Sequence, residues 1–200
     1  MLQTLIIDDE TIFQYPSKSK LEVSHHLLSL INKHDVCTAQ HSCNVASIAV
    51  NFAKKLKLSP EKMESISTAA LLHDIGKIKI PQYILNKPEK LTDSEFEIIK
   101  KHSQYGFEIL KQIKPLQDIA EAVQCHHEKF NGGGYPSGKA GSEIPFIAQI
   151  LSIADVYEAL ISDRSYRKAM TQIEACHVLD CGRETHFDPV LVNAFLLGGS

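Results

Sequence analysis

A carboxylate stands in the middle of the strongly apolar run that Pro145 opens. Asp155 follows Leu151 by four residues and Ile147 by eight, so a helix places all three on one inward stripe. An unpaired carboxylate buried there is costly enough to unfold a marginal domain. Whatever fold the chain adopts must therefore bring a compensating group to Asp155. The chain offers imidazoles rather than obvious Arg or Lys partners: ten of its 200 residues are His.

The rest of the pattern is helical almost throughout. Leu21, Leu27, Leu28 and Ile31 predict a helix over about 21–35. Val45, Ile48, Phe52 and Leu56 share the stripe of a second over about 38–58, with His41 on the same face. Ser59-Pro60-Glu61 is a helix start, an N-cap Ser followed by Pro at N1. That helix carries Met63, Ile66, Ala70 and Leu71 and ends near His73. Gly76 breaks the pattern, and residues 78–81 read as an irregular turn. Thr92-x-x-Glu95 is a capping box for a helix through Phe96, Ile99 and His102. Further helices are expected over about 106–113, 116–126, 145–160, 171–181 and 189–197, with a Gly-rich loop from Asn131 to Gly138. No strand pairs alternate and no repeat is present, so the class is all-α, a helical bundle.

Charge and composition narrow the function. Lys plus Arg is 21 and Asp plus Glu is 24, a net charge of −3, which argues against binding a nucleic-acid polymer. No apolar run approaches the ~20 residues of a membrane span. The start, MLQTLIIDDE, has no basic region or cleavage site of a secretory signal. Five scattered Cys residues without a CxxC imply a reduced, cytoplasmic protein.

His41, His73, Asp74, His102, His126, His127 and Asp155 each lie on, or at the end of, a helix whose apolar face points inward. Singly, each has an ordinary explanation. His41 reads as a hydrogen-bonded core residue, the 126–127 pair as a helix C-terminal feature favoured by the dipole, and Asp155 as a local cap. Together they form a mixed nitrogen and oxygen donor set. Such a set suits a first-row divalent metal (Fe, Mn, Zn or Ni) better than Mg or Ca.

The stretch Leu71-Leu72-His73-Asp74-Ile75-Gly76-Lys77 with Ile80-Pro81 resembles the signature of the HD-domain metal-dependent phosphohydrolases. Further blocks resemble the HD-GYP subfamily: Ile84-Leu85-Asn86-Lys87-Pro88-x-Lys90-Leu91-Thr92, His126-His127-Glu128-x-x-x-Gly132-x-Gly134-Tyr135-Pro136, Ile144-Pro145 and Asp163-Arg164-x-Tyr166-Arg167. The resemblance covers roughly residues 25–197. It implies a cyclic di-GMP phosphodiesterase of bacterial second-messenger signalling, cleaving its substrate to linear pGpG or on to GMP. It implies two divalent metals, Fe or Mn, on His41, His73, Asp74, His102, His126, His127 and Asp155, with Asp74 bridging. Lys77 matches the lysine at the scissile phosphate, Arg164 and Arg167 the cations that hold the other phosphate, and Tyr135 belongs to the loop beside the pocket. The resemblance also extends to a partner class, since the family's Gly-Tyr-Pro loop is proposed to touch diguanylate cyclase (GGDEF) domains.

Several positions depart from the family's usual residues: Lys129, Asn131, Gly133, Lys139, Gln149 and Glu158. Cys37 stands where some members carry a third-metal Glu, and reads as a small buried hydrophobe. None of these replaces an expected ligand. They leave open an alternative to the enzyme, a catalytically weak cyclic-dinucleotide sensor or protein-interaction module using the same pocket. A hydrolase of nucleotide monophosphates or (p)ppGpp fits the later blocks poorly. Residues 1–24 are expected to form an N-terminal arm, with Leu5 to Glu10 like the first strand of a receiver, and residues 25–200 the HD-GYP domain. His25 and His26 are expected to be solvated.

Overall fold

The computed structural model describes residues 19–163 and 167–197. Among them nine α-helices form: α1 (Lys20–His34), α2 (Val36–Lys55), α3 (Pro60–Leu72), the single turn α4 (Gln82–Leu85), α5 (Asp93–Lys111), α6 (Gln117–Cys125), α7 (Phe146–Ile161), α8 (Gln172–Cys181) and α9 (Pro189–Leu197). No strand pairs with another among the described residues, beyond one isolated bridge between Arg183 and Phe187. None of these helices is long and apolar enough to cross a membrane.

Helix starts follow local chemistry. Ser59 caps α3 at the Lys62 amide with Pro60 in the first turn. Thr92 and Glu95 close a reciprocal capping box on α5. Ser19 with Glu22, and Thr171 with Glu174, do the same for α1 and α8.

Helix α3 is the centre of the bundle and packs on α1, α2, α6 and α7. Its inward face pairs two large residues with two small ones: Ile66, Ala69, Ala70 and Leu72 are all fully buried. Alanine on that face lets neighbouring helices approach closely, and α3 then delivers its C-terminal His73 and Asp74 into the middle of the core. Packed structure also reaches back before residue 25, because Val23 of α1 is fully buried.

One expected boundary is absent. Residues 93–111 form one helix through Gly106, where separate helices ending after His102 and starting at about 106 were expected. Gly106 serves contact rather than termination: a Cβ there would lie 2.9 Å from the Val123 side chain. Gly76 acts likewise. It sits in the 3₁₀ turn Ile75–Lys79, and a Cβ on it would strike the His102 carbonyl and the Gly106 amide. The turn after His73-Asp74 is thereby pressed onto α5 beside His102.

Candidate metal centre

Seven side chains from five segments meet where α3 ends. His73 and Asp74 come from its C-terminus, His41 from α2, His102 from α5, His126 and His127 from the end of α6, and Asp155 from α7. His73, Asp74, His102 and His126 are at most 2% exposed, while His41 and Asp155 open slightly toward the surface. The donor atoms fall into three overlapping groups: His102 with His126 and His127, His73 with Asp74 and His126, and His41 with His73 and Asp155. Each group lies within 4.8 Å. Every residue that the sequence pointed to as a ligand is therefore in this one cluster.

Local helix geometry sets the tautomers. Nδ1 of His73, His102 and His126 lies 2.8, 2.7 and 2.6 Å from the backbone carbonyl three residues earlier, at Ala70, Ile99 and Val123. A carbonyl only accepts, so each Nδ1 carries a proton and donates, and each Nε2 presents a lone pair to the cluster. The Nε2 atoms of His102 and His126 face each other at 3.3 Å. Asp74 Oδ1 lies 3.4 Å from His102 Nε2, and Oδ2 lies 3.4 Å from His73 Nε2. Acceptors thus face acceptors in a buried space, an arrangement that repels itself unless a cation stands between. The residues present fit a divalent metal.

Electrostatics agree. Burial, then the surrounding imidazoles, holds His126 well below the usual imidazole range and takes His127 down to about 3. Burial lowers His102 as well. Burial thus favours the neutral, ligating form of all three rings. Burial would raise Asp74, but the Lys77 ammonium beside it holds it well below the usual carboxylate range. Asp155 is likewise held low against its burial, by its hydrogen bond to His41.

His41 is held differently. Its Nε2 lies 3.0 Å from Asp155 Oδ1 and its Nδ1 2.5 Å from Glu158 Oε2. Burial works against a charged ring, but the two carboxylates outweigh it and carry His41 up to about 9. Asn44 and Ser162 in turn donate to Glu158 Oε1, at 2.9 and 2.8 Å. Asn44 and the supporting role of Glu158 are absent from the sequence-based site. The signal for them is spacing: His41 and Asn44, like Asp155 and Glu158, are three apart and share a helix face.

Lys77 Nζ lies 2.6 Å from Asp74 Oδ2, in the middle of the 3₁₀ turn that Gly76 presses onto α5. Tyr135 covers the other side, its ring 4.8 Å from that of His127, with the Lys100 ammonium 5.7 Å from its centroid. The Gly-rich loop carrying Tyr135 is well tied down. Phe130 and Asn131 amides donate to the His186 and Thr185 carbonyls, and Gln149 reaches back to the carbonyls of Gly141 and Ile144.

The Arg167 guanidinium donates to the Ala159 and Leu160 carbonyls, so it caps the C-terminus of α7, where the helix dipole favours a cation. One expectation changes. Cys37 is exposed rather than buried, because it lies in the first turn of α2 with its amide bonded to Asp35. Arg164 lies outside the described residues. His25 and His26 are exposed on α1.

Comparison with known proteins now adds a family. Residues 25–191 match the family model of the HD domain. The chain belongs to the HD domain family. This HD domain is 39% identical over 179 residues to the cyclic di-GMP phosphodiesterase response regulator RpfG of Xanthomonas campestris pv. campestris, covering 88% of this chain and 47% of that protein. It is 36% identical over 177 residues to the 3′3′-cGAMP-specific phosphodiesterase 2 of Vibrio cholerae, covering 88% of this chain and 34% of that one. The chain thus spans less than half the length of these relatives. Its fold matches the HD domain of the L. monocytogenes phosphodiesterase PgpH, solved in complex with cyclic-di-AMP, with a TM-score of 0.66 at 21% identity, over 87% of this chain and 93% of that one.

Proposed function

We propose that this HD domain is a metal-dependent phosphodiesterase that opens a cyclic dinucleotide, cyclic di-GMP first among them, to linear pGpG or on to GMP. One observation carries the proposal: the buried Nε2 atoms of His102, His126 and His73 converge with both oxygens of Asp74, a donor set and spacing that suit a shared divalent cation. The HD-domain relatives named for cyclic di-GMP and 3′3′-cGAMP supply the substrate class.

His41, His73, Asp74, His102, His126, His127 and Asp155 would hold two divalent ions, Fe or Mn. Asp74 would bridge them, since its two oxygens face different imidazoles. Such ions would supply Lewis acidity to the phosphoryl oxygens and acidify an attacking water. The remaining chemistry belongs to the chain. Lys77 holds an ammonium beside Asp74, with a quarter of its side chain open to solvent, and can follow the negative charge that spreads over the phosphoryl group in the transition state. Tyr135 walls the cluster on the His127 side and excludes water from it. The exposed loop residues Asn131, Gly133 and Pro136 to Gly138 offer the surface on which a GGDEF domain would dock.

The test is turnover. Protein reconstituted anaerobically with Fe or Mn is incubated with cyclic di-GMP, 3′3′-cGAMP and cyclic-di-AMP, and the products are separated by chromatography. Metal-dependent release of linear dinucleotide or mononucleotide is expected, fastest from cyclic di-GMP. Tight binding of the nucleotide without turnover would make the domain a sensor instead.

A further inference from the structure

Glu128 follows the His126-His127 pair, is 2% exposed, and is part of neither the metal cluster nor the proposed chemistry. One of its oxygens, Oε1, accepts from the Ser137 amide at 2.7 Å. The other, Oε2, is buried with no hydrogen-bond partner among the described residues. A buried acceptor left unmade lowers stability, so an apolar residue would serve the core better here. What the carboxyl group provides is the bond to Ser137.

That bond has a particular place. Pro136 has no amide hydrogen, so the backbone donors that bracket the Tyr135-Pro136 step are the N–H of Tyr135 and that of Ser137. The first donates to the His127 carbonyl at 3.2 Å and the second to Glu128 Oε1. Tyr135 and Pro136 are thus pinned at both ends onto two adjacent residues, 127 and 128. Gly134 completes the seat: a Cβ there would collide with the Glu128 Cα, the Lys129 amide and the His127 carbonyl. The loop backbone therefore lies directly on this segment, and the Tyr135 ring comes to rest 4.8 Å from that of His127. The other loop anchors involve the backbone at Phe130, Asn131, Gly132 and Gly141, away from the Tyr-Pro step.

We infer that Glu128 is a positioning residue which, through the Ser137 amide, seats Tyr135 against His127 and so shapes the wall of the nucleotide site. This deepens the phosphodiesterase proposal and rests on it for its kinetic consequence, but not for its structural one.

The test uses the whole metal-loaded chain and three variants: Glu128→Ala, Glu128→Gln, and Ser137→Pro, which removes the same bond from the other side. The reporter is hydrogen exchange of the Tyr135 amide. Glu128→Ala and Ser137→Pro should speed it about tenfold, the effect of losing one ordinary hydrogen bond. Glu128→Gln, whose side-chain oxygen still accepts, should stay within about twofold of the parent. With cyclic di-GMP, the first two should raise KM about tenfold with kcat held, and Gln should restore KM. Unchanged exchange in Glu128→Ala, a Gln variant as damaged as Ala, or faster exchange across the whole bundle together would overturn the inference. Exchange needs no turnover, so a chain that fails to hydrolyse the nucleotide still decides the role of Glu128.

Discussion

His41 Nδ1 lies 2.5 Å from Glu158 Oε2, although the two residues stand 117 positions apart. The contact joins α2 to α7 and leaves the other ring nitrogen facing Asp155. It is the carboxylate–imidazole relay that orients many metal-bound histidines. Replacing Glu158 by Ala should weaken metal affinity about 10–100-fold with the helical content preserved. Competition against a chromophoric chelator measures this, and unchanged affinity would remove Glu158 from the site.

Asp74 and Lys77 share a 2.6 Å contact but should separate by assay. Asp74→Ala should empty at least one metal position, seen by elemental analysis, and abolish hydrolysis. Lys77→Met should keep the metals and lower kcat by about 10²–10³, as removal of one preorganised charge does in other enzymes. A Lys77 variant with full rate would leave the lysine as a mere ion-pair partner of Asp74.

Gly76 is a steric requirement. A methyl group on it meets backbone, the His102 carbonyl and the Gly106 amide, and backbone cannot rotate away. Gly76→Ala should cost about 3 kcal/mol in urea unfolding, the upper end for overpacking. Gly106→Ala meets a Val123 methyl group that can turn aside, and should cost about 1 kcal/mol. Equal costs would show that the close approach of the 3₁₀ turn to α5 is relaxed in solution.

Glu95 supplies a pH test away from the metal site. Hydrogen bonds from Lys87 and from Thr92 hold its carboxyl down at about 2, against an ordinary 4.5. A carboxyl lowered on folding adds stability that is fully present above 4.5 and is lost as the pH falls toward 2. Side-chain NMR titration should place Glu95 last among the glutamates of α5 to protonate. Lys87→Met should move it upward, and a titration that ignores Lys87 would contradict the assignment.

Much of this molecule is legible in the order of its residues. Helix stripes are periodic, capping boxes are local, and each expected ligand sits on an inward stripe, so the bundle and the membership of the cluster could be read before any coordinates. Gly106 misled because glycine weakens a helix by propensity, and a contact with Val123 that propensity ignores overrides it. The contacts of Arg167 with the last carbonyls of α7 were not legible, because a motif position says nothing of where a flexible side chain finds acceptors. Cys37 misled because a free thiol is usually buried, whereas in the first turn of α2 it is Thr38 and Ala39 that are buried and Cys37 that is exposed.

The sequence determined which residues could be ligands, and local geometry fixed the free nitrogen of His73, His102 and His126, because their Nδ1 bonds close within one helical turn. Tertiary structure alone decided which lone pairs face one another, that Glu158 and Asn44 stand behind His41, and that Glu128 reaches Ser137. Those distances depend on how α2, α5, α6 and α7 cross α3. The crossings are set by the packing of residues such as Ala69, Ala70 and Gly76 against distant partners, which no local pattern encodes.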